Sequence, residues 1–133
     1  MNYPIIRYQE IDSTNNEAWR LLDRGQASSN TAIIAKRQTK GKGQRGNVWH
    51  SDLGGLFMSV ILQPDDLAAT DAHQITLCTA WGIAKTLNQT GANVKLKWLN
   101  DLLIDRRKLG GILTETRIES GQIRYAVVGI GIN

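Results

Sequence analysis

Short runs of apolar and β-branched residues, separated by turn residues, dominate the chain and predict a protein built largely from strands. Glycine, proline, asparagine and aspartate stand between most of these runs. The segment 56–62 is apolar almost without interruption, which indicates burial on both faces of a sheet. We predict strands at 5–11, 31–38, 56–62, 94–99, 109–118 and 123–132.

Two segments have helical rather than strand periodicity. The first begins at Thr14, where Thr14 and Glu17 form a capping-box pattern, and it ends at Gly25. The second covers about 70–89 and predicts a helix that packs on the sheet, with Trp81 and Cys78 in the core. Its apolar residues recur at steps of three and four: Leu77, Ala80, Trp81, Ala84 and Leu87.

The last two predicted strands carry glycines in their interiors. A tight turn is predicted at 120–121, so that the two strands pair as a hairpin. Glycine weakens a strand interior and often marks a place where a ligand or another backbone comes close. The pairing would collect Gly110, Gly111, Gly129 and Gly131 into a patch of sheet without side chains.

Length and composition are those of one globular domain. The chain has 133 residues, of which 41% are hydrophobic and 21% charged, enough for a substantial core. No apolar run approaches the roughly 18 residues of a membrane span, and the first residues lack a signal-peptide pattern. A single cysteine excludes an internal disulfide. We therefore expect a cytoplasmic protein without a membrane partner.

The glycine-rich stretch from Gln38 to Trp49 is the strongest candidate for a binding site. Backbone N–H groups in such a loop form an anion-binding concavity, and cations around it add positive charge. The stretch contains three glycines and three cations but no acidic residue: Lys40, Gly41, Lys42, Gly43, Arg45 and Gly46. No helix follows it, as a dinucleotide-binding fold requires, and no kinase motif follows either. The expected ligand is a nucleotide phosphate.

The net charge of +4 also allows a larger polyanion. A second basic group, at 95–108, is partly offset by two aspartates. Nucleic acid is the weaker alternative, because the basic segments lack the interleaved aromatic residues on which bases stack. We expect no DNA partner.

Several polar residues outside the loop are candidates for chemistry. Lys108 follows two arginines and precedes Leu-Gly-Gly, so its ammonium group either bridges a carboxylate and a phosphate or lies in solvent. Trp49 either stacks on a flat ring or fills the core. Asn100 and Asp101 either bind a nucleotide with its Mg²⁺ or form a turn. Two histidines and one cysteine give no metal-ligand set.

Five motifs, taken together, resemble the catalytic domain of biotin–protein ligases. Each alone has little specificity, but five at family-like spacing over almost the whole chain are specific. They are Ser13-Thr14-Asn15, Gln38-x-x-Gly41-x-Gly43-x-x-Gly46-x-x-Trp49, Lys97-Trp98-x-Asn100-Asp101, Lys108-Leu109-x-Gly111-Ile112-Leu113-x-Glu115 and Gly129-x-Gly131-Ile132-Asn133.

The resemblance implies a fold and a reaction. The fold would be α+β, a mixed and largely antiparallel sheet with helices packed on one side, related to class II synthetases. In the reaction, which uses ATP with Mg²⁺, the biotin carboxylate attacks the α-phosphate and gives biotinyl-5′-adenylate and pyrophosphate. A lysine of the biotin carboxyl carrier protein of acetyl-CoA carboxylase then takes the biotinyl group and releases AMP.

The resemblance also assigns site residues by position. Lys108 would be the catalytic cation between carboxylate and α-phosphate, and no metal would be held by the protein itself. The biotin-binding residues would be Ser13, Thr14, Asn15, Gln38, Gly41, Lys42, Gly43, Gln44, Lys108 and Gly111. The nucleotide-binding residues would be Arg45, Trp49, Asn100 and Asn133.

Departures from the family pattern qualify these expectations. Lys42 and Gln44 stand where the family often has arginines, which predicts a lower affinity for the adenylate. Leu99 replaces a usual proline. Residues 1–133 would be the N-terminal major part of the catalytic domain, without the remaining catalytic helices, the small C-terminal β-barrel or an N-terminal DNA-binding domain. The last strand would then leave an exposed edge or an apolar surface, either of which favours self-association. A lipoate or octanoate relative and a non-catalytic biotin-binding fragment remain alternatives.

Overall fold

The computed structural model of the chain describes residues 3–133. Every predicted strand and both predicted helices are present, and a short additional strand lies at 101–104. Among the described residues, no helix has the length and apolar character to cross a membrane. The elements are β1 (Ile5–Ile11), α1 (Thr14–Asp23), β2 (Ala32–Gln38), β3 (Leu56–Leu62), α2 (Ala72–Gln89), β4 (Val94–Lys97), β5 (Asp101–Ile104), β6 (Arg107–Glu119) and β7 (Gln122–Ile132).

The strands form one seven-stranded sheet in the order β1-β2-β3-β7-β6-β5-β4. β1 and β2 are parallel, and every other pair is antiparallel. The mixed, largely antiparallel sheet expected from the sequence is therefore confirmed. The exposed edge expected at the last strand is wrong, because Ile132 pairs with Leu56 on one side and with Gly110 on the other. The free edges of the sheet are β1 and β4.

The two helices cover different parts of the sheet. Ala18 and Leu21 of α1 belong to a buried cluster with Ile33, Ile61 and Val127. The buried cluster beneath α2 consists of Ala80, Ala84, Val94, Leu102, Ile112, Val128 and Ile130. Successive residues of a strand point to opposite faces. Val127 therefore contributes to the cluster that contains Ala18 and Leu21 of α1, and Val128 to the cluster beneath α2.

The N-cap of α1 lies one residue before Thr14, the N-cap that the capping-box pattern indicates. Ser13 is the N-cap, and its Oγ accepts a hydrogen bond from the backbone N–H of Asn16 at 3.4 Å. Glu17 does not return to the helix start; its carboxylate accepts hydrogen bonds from Tyr8 at 2.8 Å and Arg20 at 2.6 Å. Thr14 is thereby left to face the cleft described below. At the other end, Gly25 follows the C-cap with a φ of 66°, as predicted.

α2 buries a narrower stripe than the sequence predicts. Its fully buried residues are Thr76, Ala80 and Ala84, while Trp81 is 57% exposed and Cys78 is also exposed. The expectation that Trp81 and Cys78 lie in the core is wrong. One residue turns a helix by about 100°. Spacing alone could not show that the small alanines, rather than the adjacent tryptophan, face the sheet.

Candidate active site

A cleft of about 640 Å³ opens on the sheet face that carries α1. This volume is typical of sites for small organic ligands. Of the residues assigned from the motifs, Gly41 alone is absent from its lining. The lining residues are Ser13, Thr14, Asn15, Gln38, Lys42, Gly43, Gln44, Arg45, Asn47, Val48, Trp49, His50, Asn100, Asp101, Lys108, Gly111, Ile112, Leu113, Gly129, Ile130, Gly131 and Asn133.

The floor of the cleft is the glycine patch of β6 and β7. Gly111 and Gly131 are directly paired, as predicted, and the Trp49 indole lies on both of them. A Cβ at Gly131 would overlap the indole nitrogen, and a Cβ at Gly129 would overlap the Asn15 amide. The sheet therefore lacks side chains here so that Trp49 and Asn15 can approach its backbone.

One end of the cleft is built from hydrogen-bonded polar side chains. Gln38 Oε1 accepts from the backbone N–H of Thr14 at 2.7 Å and from its hydroxyl at 3.0 Å. Gln38 Nε2 donates to Ser51 Oγ at 2.9 Å. Ser59 Oγ lies 2.7 Å from Thr14 Oγ1 and 2.5 Å from Asn15 Oδ1. These contacts fix the side-chain directions, which leaves a polar wall of defined geometry.

Glu115 continues this network toward the glycine loop. Its Oε2 accepts from Asn15 Nδ2 at 2.9 Å and from Trp19 Nε1 at 3.1 Å, and its Oε1 lies 2.7 Å from Lys42 Nζ. Burial raises the pKa of Glu115, but the hydrogen bonds from Lys42, Asn15 and Trp19 outweigh burial and hold the pKa below its usual range. Glu115 is thus a carboxylate fixed at the junction of α1, β6 and the loop.

The glycine loop folds back on itself beside the cleft. Lys42 and Val48 form an isolated antiparallel bridge, and the Trp49 N–H donates to the Gly41 carbonyl at 2.9 Å. Arg45 turns the loop with a φ of 55°. Gly41 is buried beneath this closure, where a Cβ would overlap the Trp49 carbonyl and Ser51 Oγ. Glycine at position 41 allows the two halves of the loop to approach each other. Gly41 does not line the cleft.

Lys108 projects into the opposite end of the cleft. Its Nζ lies 2.9 Å from Asp101 Oδ1 and 5.2 Å from the centroid of a Trp49 ring. A bulge between β5 and β6 sets this direction, since Leu103 pairs with Lys108 while Leu102 pairs with Gly110. The ammonium group is half-exposed, so an anion entering the cleft can reach it.

Asn100 and Asn133 complete the wall at this end. Asn100 Nδ2 donates to the Ile112 carbonyl at 3.1 Å, and Asn133 Nδ2 donates to the His50 carbonyl at 3.2 Å. Both amides therefore tie separate backbone segments together. Each retains a side-chain oxygen that can accept a hydrogen bond.

Some lining and supporting residues were not assigned from the sequence. Gly129 and Gly131 belong to one of the five motifs, and Asp101 lies in the motif that contains Asn100. Ser51 and Ser59 support the wall through contacts with residues far away in sequence, for which no local signal exists. Glu115 lies in one of the five motifs, but the motif does not show which residues it contacts. Within residues 3–133, no group of three His, Cys, Asp or Glu side chains could hold a metal ion.

A polar wall, a glycine loop and a lysine surround one cleft on a mixed sheet, an arrangement typical of a protein that binds a small molecule. The chain belongs to the biotin/lipoate A/B protein ligase family, whose model matches residues 8–133.

Among curated proteins, the chain is 36% identical to the bifunctional ligase/repressor BirA of Bacillus subtilis, over all of this chain and 41% of that protein. Among solved structures, it resembles the biotin acetyl coenzyme A carboxylase synthetase from Helicobacter pylori with bound biotinylated ATP. The TM-score is 0.80 and the identity 28%, over 99% of this chain and 61% of that one. The Aquifex aeolicus biotin protein ligase in complex with biotin and ATP follows with a TM-score of 0.72 and 32% identity, over 99% of this chain and 53% of that one. The chain thus spans about two-fifths of the curated relative's length.

Proposed function

We propose that the chain carries the adenylating site of a biotin–protein ligase. The observation that carries the proposal is the convergence of three independent motifs on one cleft. The polar wall of Thr14 and Gln38, the glycine loop and Lys108 all line the same space of about 640 Å³. The motif-bearing segments come from distant parts of the chain, so their meeting is a property of the fold.

The polar wall suits the ureido head group of biotin. The Gln38 and Thr14 side chains are held by Ser51 and Ser59 and present donors and acceptors that need not reorganise on binding. Preorganised polar groups of this kind give orientation and specificity in a small-molecule site. The biotin tail would extend over the glycine patch, toward Lys108.

Lys108 supplies positive charge where the reaction creates negative charge. A biotin carboxylate oxygen attacks the α-phosphorus of ATP, the new O–P bond forms, and the bond to the leaving pyrophosphate breaks. The ammonium group, which lies 2.9 Å from Asp101 Oδ1, would exchange this partner for the carboxylate and α-phosphate oxygens. Catalysis then rests on positioning and charge stabilisation, without a protein nucleophile.

Trp49 and the two asparagines would hold the nucleotide. The indole is anchored on Gly111 and Gly131, so one ring face is fixed and an adenine could stack against the ring. Mg²⁺ would arrive with the phosphates, since Mg²⁺ usually binds one or two carboxylates together with substrate phosphates. Asp101 is the only acidic residue that lines the cleft within residues 3–133.

The second step would transfer biotin to a lysine of a biotin carboxyl carrier protein. The amine nitrogen attacks the acyl carbon, AMP leaves with the electron pair of the broken C–O bond, and the amine loses a proton. The name of the Helicobacter pylori neighbour includes acetyl coenzyme A carboxylase, which supports the carrier of that enzyme as the acceptor.

Biotin-dependent release of pyrophosphate from ATP and Mg²⁺ tests the proposal. We expect turnover that requires biotin and falls by about 10²–10³-fold in Lys108→Ala, the range found when one stabilising donor is removed from an active site. Lys85→Ala is the matched control, because Lys85 lies over Trp81 on α2, outside the cleft. Biotin binding without any pyrophosphate release by the unaltered chain would refute the ligase assignment.

A further inference from the structure

We propose that Glu115 is a positioning residue that holds the glycine loop closed through Lys42. Neither the motifs nor the lining of the cleft assigns this role to Glu115. The proposal assigns a residue that sets the conformation of the loop beside the proposed site. Only its expected effect on ligand binding rests on the proposed function.

The geometry of the carboxylate carries this inference. Oε1 faces the loop and is 2.7 Å from Lys42 Nζ, whereas Oε2 faces α1 and binds Asn15 and Trp19. Each oxygen therefore serves a different element. Glu115 itself lies on β6, in the central part of the sheet. The loop is thus connected to the rigid sheet by a charged contact between residues 73 positions apart in sequence.

Few other contacts hold the outer part of the loop. Within residues 42–48, the backbone bonds are local, such as Gly43 N–H to the Asn47 carbonyl at 2.7 Å. The Lys42–Glu115 pair is the only ion pair of this segment within residues 3–133, since Arg45 has none. Loops with few buried contacts open easily. The strength of this one pair should therefore set how often the loop opens.

The same contact decides what Lys42 offers to a ligand. Lys42 Nζ is paired with Glu115, so Lys42 orders the loop, whereas Arg45 has no ion pair within residues 3–133 and can bind phosphate oxygens. The carboxylate is half-buried and makes several hydrogen bonds, which favours a stronger pair than two exposed charges give.

Proteolysis of the ligand-free chain at Arg45 tests the inference without reference to activity. Arg45 is exposed near the loop tip, so an arginine-specific protease reports the open population when opening is fast relative to cleavage. We expect Glu115→Gln and Lys42→Met each to speed cleavage about tenfold, which corresponds to roughly 1.4 kcal/mol. Glu119→Gln is the matched control, because Glu119 lies on the same strand and pairs with Arg124 instead.

A charge exchange separates positioning from a merely structural role. Lys42→Glu should open the loop by repulsion between two carboxylates. Adding Glu115→Lys should restore protection at Arg45, although an ammonium group at this position cannot accept hydrogen bonds from Asn15 and Trp19. Lys42→Met keeps those two contacts, so unchanged cleavage in this variant would overturn the inference even if Glu115→Gln were destabilised. Absence of restored protection in the exchanged pair would overturn it as well.

Measurements of biotin binding distinguish a failure of this inference from a failure of the proposed function. If the unaltered chain binds biotin, Glu115→Gln should raise the biotin dissociation rate about tenfold, equal to the increase in loop opening. If the unaltered chain binds no biotin, the proposed function fails, while the protease result still decides the role of Glu115.

Discussion

Gly131 lies directly beneath the Trp49 indole, and a single methyl group there should change the cleft. Its Cβ would overlap the indole nitrogen, so Gly131→Ala must displace the ring. We expect unfolding by urea to show a loss on the order of 1–3 kcal/mol, as overpacking usually gives. Nucleotide affinity should fall in the same variant.

A glycine-to-alanine substitution in α2 should have the opposite effect on the free energy of unfolding. A Cβ at Gly82 meets no atom within 4 Å, and alanine is favoured over glycine inside a helix. Gly82→Ala should therefore raise the free energy of unfolding by roughly 0.5–1 kcal/mol. If both variants shift the urea midpoint in one direction, the contact between Trp49 and Gly131 does not control the packing of the floor.

For single residues, the sequence predicted membership of the site better than it predicted the hydrogen-bond partners of each side chain. The motifs placed Thr14, Gln38 and Lys108 in one site, and the structure brings all three to the cleft. The pairing of Thr14 with Ser59, 45 positions away, has no local signature. Glu115 lies inside one of the five motifs, but the motif does not predict its role, because its partners lie on α1 and the loop.

At the scale of elements, α1 depends on a charged contact near its first turn. Arg20 donates to both Asp12 oxygens, at 2.9 and 2.7 Å, and Asn16 Nδ2 donates to Oδ2 at 3.2 Å. The hydrogen bonds from Arg20 hold the pKa of Asp12 well below its usual range. This contact links the helix that carries Thr14 and Asn15 to the end of β1.

The lowered pKa of Asp12 predicts how stability varies with pH. A carboxyl group with a depressed folded pKa stabilises the fold above its unfolded pKa of about 3.9, and this contribution is lost as the pH falls toward the folded value. Asp12→Asn should therefore cost about 1 kcal/mol at pH near 6, a modest value because the pair is partly exposed. The cost should shrink as the pH approaches about 2.

Urea unfolding of both forms across this pH range checks the prediction. Asp65→Asn is the control, since Asp65 is exposed and has no ion pair within residues 3–133. A difference between the unaltered chain and Asp12→Asn that stays constant with pH would contradict the assignment.

Element boundaries followed from local pattern more reliably than the orientation of elements did. Runs of β-branched and apolar residues predicted β1 and β3, and Gly25 predicted the end of α1, all from neighbouring residues. The exposed face of α2 at Trp81 depends on how closely Ala80 and Ala84 approach the sheet, which is a tertiary property. The same holds for the position of β7, because strand order depends on pairing between distant segments.

At the scale of the whole molecule, β7 lies inside the sheet, so self-association by strand pairing would use an edge strand, β1 or β4. Edge strands present unpaired backbone groups, and proteins protect them with charge, especially lysine. β4 is a four-residue edge in which Lys95 and Lys97 are exposed, and the nearby Trp81 and Leu96 are exposed apolar residues. The two lysines should therefore limit pairing between copies through β4.

Sedimentation equilibrium tests this barrier directly. Replacing both Lys95 and Lys97 with threonine keeps a good strand former and removes two charges, so the apparent mass should rise more steeply with concentration than for the unaltered chain. The double change Lys36→Thr with Lys40→Thr alters net charge equally but lies away from β4, and it should leave association unchanged. Equal association in the two double variants would show that net charge rather than the β4 edge governs assembly. Steeper association in the β4 variant alone would identify this edge as the surface where a second copy pairs, since β1 is unaltered in both.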